Sequence, residues 1–142
     1  MNWRLIFQLS LFALAMGIAT VFVIPSNIEP FFWLAIMLVS AYLIARRAGG
    51  RYFLHGLALG IANCFWVIAA HVGLFPSYVA RHPEEMGMMA TMPLPTHPRL
   101  MMVLTGLVIG VVSGIVIGLL SLLASRMVSP APPLPRSAGA VP

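Results

Sequence analysis

A chain of 142 residues that is 61% hydrophobic and only 8% charged lies far from the roughly one-quarter charged content of soluble domains. This composition assigns it to the integral membrane proteins and excludes a soluble globular enzyme. Its net charge of +5 comes from eight scattered arginines with no lysine. That pattern lacks the aromatic-basic interleaving of nucleic-acid binders and instead sets membrane topology.

The first apolar run, Leu5 to Ile24, predicts a spanning helix over about residues 4–24. Ala13, Leu14 and Ala15 form the A-x-A triplet of a secretory leader, but the run stays apolar for nine residues beyond it, so a retained helix is expected. Ser10, Ala13, Gly17 and Thr20 give it a face of small residues. Ser26 and Glu29 then fit a capping box that opens a second helix over about 28–46, with Pro30 in its first turn. Phe31, Phe32 and Trp33 form the aromatic cluster expected at headgroup level.

Arg46, Arg47 and Arg51 flank Gly49 and Gly50 in the second connection, and this basic turn is expected in the cytoplasm. The third helix, about 52–75, carries Gly56, Gly60, Asn63, Cys64 and His71 on one arc, with His55 off it. Pro76 to Pro98 forms the one long connection. His82, Pro83, Glu84 and Glu85 read as a cap, an opening proline and first-turn acids, predicting a short interfacial helix over Pro83–Thr91.

The fourth helix, about 98–127, contains Gly106, Gly110, Gly114 and Gly118 at intervals of four. That spacing stacks them along one side with a drift of about 40° per step, so that a second helix approaches almost backbone to backbone. The arc of the third helix is the expected partner, with Gly56, Gly60, Asn63 and Cys64 facing the four glycines. Residues 129–142 are Pro/Ala-rich and read as a disordered tail.

The fold class is therefore an all-α integral membrane protein, residues 1–128 forming four antiparallel transmembrane helices with a short interfacial helix in the third connection. Six of the eight arginines fall on one side when both termini are cytoplasmic. A prokaryotic inner membrane is the expected location.

Candidate chemistry is sparse. Met86, Met88, Met89 and Met92 lie between His82 and His97, and soft thioethers with imidazole suit Cu(I). Met86, Met89, Met92, His82 and His97 are thus the candidate metal ligands, and burial of an amphipathic helix is the competing account. His71 and Ser113, with Asn63, are candidates to line a polar path. His55 and His71 stand about 24 Å apart along one helix, which disfavours haem held between them. Ser113 and His71 have no carboxylate to orient them as a nucleophile and base.

Cys64 is the single cysteine, with no partner for a disulfide or a zinc knuckle. There is no aspartate, and all three glutamates lie in connections, so the embedded carboxylate of a proton-coupled carrier is missing. The expected function is non-enzymatic and without a cofactor: an accessory, assembly or scaffold subunit. Its partners are expected to be the lipid bilayer and either other membrane subunits or a second copy of itself. A small oligomeric transporter or channel and a metal-handling protein are the alternatives.

Overall fold

The computed structural model describes residues 1–129, apart from the side chain of Met89. The tail, including Arg136, lies outside the described residues. Among the described residues six helices follow one another: α1 Trp3–Phe22, α2 Glu29–Arg47, α3 Tyr52–Gly73, α4 Phe75–Arg81, α5 Pro83–Met89 and α6 Pro98–Met127. Among the described residues there is no strand. Four helices, α1, α2, α3 and α6, are long and apolar enough to cross a membrane. The 30 residues of α6 extend about 45 Å, well past a hydrocarbon core of about 30 Å.

Local chemistry explains most boundaries. The Asn2 side chain accepts the Leu5 N–H and caps α1, while α2, α4, α5 and α6 each begin with a proline in the first turn, where no intrahelical N–H is needed. The turn between α2 and α3 runs through positive φ at Gly49, Gly50 and Arg51. Two glycines make that path accessible.

Two expectations need correction. The capping box at α2 does not form: Ile28 is the N-cap without a side-chain bond, Ser26 donates to Glu85, and Glu29 accepts from the Trp33 indole. The Glu29 N–H that Ser26 would accept bonds the Pro25 carbonyl instead, and the Ser26 hydroxyl turns to a carboxylate from a distant segment. The third long helix also stops at Gly73, and a separate α4 begins at Phe75. Pro76 has no N–H to continue the ladder, so the chain breaks at Leu74 and restarts.

α3 is the central element, packed along both α6 and α1, and α2 leans mainly on α6. Leu5, Ile6 and Leu9 of α1 meet Ile44, Leu59 and Ile117 in one buried cluster. This is the end where Arg4, Arg46, Arg47, Arg51 and Arg126 lie. Val21, Tyr78 and Met102 form a second cluster at the opposite end, where Glu29, Glu84 and Glu85 lie. Between them the outer surface is apolar, with Phe65, Val108, Ile109 and Val112 all more than half exposed.

Candidate functional site

The seam between α3 and α6 is built from small residues. Gly56 meets the backbone at Ile117 and Gly118, Gly60 meets Gly110 and Gly114, Cys64 lies on Gly110, and Ile68 covers Gly106. Residue numbers rise along α3 as they fall along α6. A Cβ on Gly114 would stand 2.9 Å from the Leu57 carbonyl oxygen, and one on Gly118 2.8 Å from that of Phe53. Asn63 is buried beside the seam with its Oδ1 unpaired, and Ser40 Oγ on α2 is likewise buried and unpaired.

On its other side α3 receives α1. Gly17 lies against Ala70 and Val67, the Trp66 indole donates to Ser10 Oγ at 3.1 Å, and His71 Nε2 is 2.9 Å from Thr20 Oγ1. The Thr20 hydroxyl also bonds the Gly17 carbonyl at 3.1 Å. With its one proton directed there, the imidazole is the donor to Thr20.

His71 therefore faces α1 and not the glycines of α6, contrary to its place on the helical wheel. Crossed helices exchange neighbours along their length, so one arc serves two partners. His71 and Ser113 are not brought together. Gly106 lies opposite Ile68, which puts the α6 residue level with His71 near Val103, about 15 Å along the axis from Ser113.

His55, off the glycine arc, proves to be a structural tie. It is 1% exposed; Nε2 accepts the Asn2 backbone N–H at 2.9 Å and Nδ1–H donates to the Arg51 carbonyl at 2.9 Å. The sequence carries no local signal for this tie, because the left-handed backbone at Arg51, one turn earlier, is seen only in the structure.

The densest polar cluster lies at the glutamate end. The Tyr78 ring is sandwiched between His71 and His82, with centroids at 4.6 Å and 4.4 Å. Its hydroxyl donates to the Glu85 carboxylate, whose other oxygen accepts from Ser26 at 2.6 Å. Burial, followed by the bond to Glu85 and the charges of Glu85 and Glu29, raises the phenol pKa well above its ordinary value. His82, also buried, donates Nδ1–H to the Tyr78 carbonyl at 3.0 Å. Arg81 donates to the Phe22 carbonyl at 2.6 Å, neutralising an orphan acceptor at the end of α1.

Between these elements lies a pocket of about 210 Å³ lined by Thr20, Phe22, Pro25, Arg81 and His82, among others. A larger, wholly different groove of about 420 Å³ runs along the apolar side of the α3/α6 seam past Phe65, Ile68 and Leu107.

The candidate metal ligands are distributed differently from the simplest reading of their spacing. His82 stands at the N-cap position of α5 without the expected side-chain capping bond and packs on Tyr78, whereas His97 is exposed at the start of α6 with Nδ1 on Thr96 Oγ1 at 2.9 Å. Met86 and Met92 are half-buried, and the Met89 side chain lies outside the described residues. Among the described residues no group of three or more His, Cys, Asp or Glu side chains is placed to hold a metal.

The helical fold and its apolar exterior define a candidate membrane-spanning bundle. Comparison with protein-family models, characterised proteins and solved structures returned no match.

Proposed function

We propose that the chain is an integral protein of a prokaryotic inner membrane, crossing it four times in antiparallel order with the arginine end and both termini in the cytoplasm. Its role in this reading is that of a non-enzymatic accessory or assembly subunit. The observation that supports it most is the α3/α6 seam, where Gly56, Gly60, Gly110 and Gly114 bring two backbones together. In lipid, where apolar burial drives little helix association, such close van der Waals fit holds helices together. The seam acts as a glycine zipper and makes a stiff two-helix spine.

The buried and half-buried polar side chains support the same reading, because Thr20, His71, Ser10, Trp66 and His55 act as interhelical ties. Rows such as Val108, Val112 and Val116 on the exposed side of α6 are left for lipid, a partner subunit's helix or a second copy. Purification of the tagged chain from its native membrane in mild detergent, followed by mass determination, tests this role. Co-purification with another membrane protein at fixed stoichiometry is the expected result, and a chain that runs alone as a monomer overturns it.

A second reading, a small oligomeric transporter, draws on the unpaired Asn63 Oδ1 and Ser40 Oγ in the bundle interior. Loss of substrate flux in Asn63→Leu, with assembly intact, would favour it.

A further inference from the structure

The pocket at the glutamate end presents two opposite kinds of hydrogen-bonding group side by side. Arg81 supplies the donors: it is exposed, and only one N–H of its fork is given to Phe22, which leaves the remainder for an oxyanion. His82 supplies an acceptor. Its Nδ1–H is bound to the Tyr78 carbonyl, so the neutral ring carries its lone pair on Nε2.

The end of α1 adds a further acceptor. The Ile24 N–H bonds Ala19 rather than Thr20. The carbonyl of Thr20, a residue of the pocket wall, therefore misses its usual i+4 donor.

A plain anion would satisfy Arg81 but would face the lone pairs of His82 and the Thr20 carbonyl. A plain cation would satisfy the acceptors but meet the guanidinium. A ligand with both charges satisfies both walls. The pocket, about 210 Å³, is below the roughly 300–1,000 Å³ of sites for drug-sized ligands. It has room for a headgroup and not for a whole lipid. On the four-span reading, on which this inference rests, the pocket lies at headgroup depth. The Glu85 carboxylate is held by Tyr78 and Ser26, and the bond recorded for Arg81 goes to the Phe22 carbonyl.

We propose that this pocket binds a phospholipid headgroup carrying a primary ammonium beside its phosphate. The phosphate sits on the Arg81 fork, and the ammonium donates to His82 Nε2 and the carbonyl end of α1.

The test uses the purified full chain in lipid-free detergent, once its need for detergent extraction has confirmed membrane residence. Failure of that extraction step overturns the membrane reading separately from the pocket. Thermal unfolding is then followed with added phosphatidylethanolamine, phosphatidylcholine, whose ammonium has no N–H, and phosphatidylglycerol, which has no ammonium. Phosphatidylethanolamine is expected to raise Tm the most, with apparent affinity about tenfold above phosphatidylcholine.

Arg81→Gln, at an exposed position, is expected to remove the stabilisation by all three lipids. His82→Phe, which keeps the stack on Tyr78, is expected to abolish only the preference for the ammonium. Equal shifts from the three lipids, or an undiminished preference in Arg81→Gln, would overturn the assignment. A shift from free glycerophosphoethanolamine as large as that from the lipid would overturn the lipid as its source, and an equal shift from inorganic phosphate would reduce the site to an anion contact.

Discussion

Gly60 on α3 and Gly114 on α6 lie backbone against backbone, and a Cβ on Gly60 would also stand 2.6 Å from the Gly110 carbonyl oxygen. Neither neighbour is a flexible side-chain end that could move aside. Gly60→Ala is therefore expected to destabilise the bundle by about 1–3 kcal/mol through overpacking. Gly87→Ala is the contrast, since nothing lies within 4 Å of its Cβ position and helical propensity favours alanine by about 0.5–1 kcal/mol. Thermal midpoints of the two variants check the pair; equal effects would disprove the close seam.

Ser40 Oγ and Asn63 Oδ1 are buried without partners. An unmade buried hydrogen bond costs about 1–3 kcal/mol. Ser40→Ala is expected to raise stability by about 1 kcal/mol, because it removes the unpaired group without a large change in volume. Reversible unfolding in detergent measures it, and a loss of stability would show that the hydroxyl has a partner.

Tyr78 joins α4 to α5 through Glu85. Its phenol is raised above the ordinary value of 10.0, with burial the first cause. A raised acid of this kind contributes stability that is fully present below the unfolded value and lost as pH rises through the folded one. The bundle is expected to keep this contribution up to about pH 10 and to lose it only at higher pH. The phenolate absorbance of the protein minus that of Tyr78→Phe follows the residue directly, and ionisation of Tyr78 below pH 10 would contradict the buried contact.

The two ends of the bundle are predicted to lie on opposite sides of the membrane. In a Cys64→Ala background, a membrane-impermeant thiol reagent is expected to label Ala90→Cys in intact cells and Ala48→Cys only after lysis. Labelling of both from the same side would eliminate the four-span topology.

Burial of His55 ties the start of α1 to the start of α3 through Asn2 and Arg51. His55→Phe retains bulk but removes both side-chain bonds, while the Arg51 carbonyl keeps the backbone N–H of residue 55; the expected cost is about 0.5–1.5 kcal/mol. Faster hydrogen exchange at Asn2 to Leu5 would report the release. Unchanged exchange there would show the tie to be dispensable.

The four long helices were legible in the sequence because span length, uncharged runs and proline starts are local properties. The spacing of Gly106, Gly110, Gly114 and Gly118 is local too, for helical geometry alone puts them on one side. Much of the glutamate end was not. Tyr78 and Arg81 carry no local signal of a site, Thr20 reads only as a small residue on one face of its helix, and His82 reads only as a helix cap and one member of the methionine and histidine connection.

Tertiary structure decided their partners. Ser26 meets Glu85, and Phe22 meets Arg81, each pair 59 residues apart, while Thr20 meets His71 across 51. A helical wheel assigns a side chain its direction, but which helix stands in that direction at a given depth depends on crossing geometry. For the same reason Ser26 left the capping box that its neighbours offered: a buried or charged acceptor brought near by folding outweighs a neutral local bond.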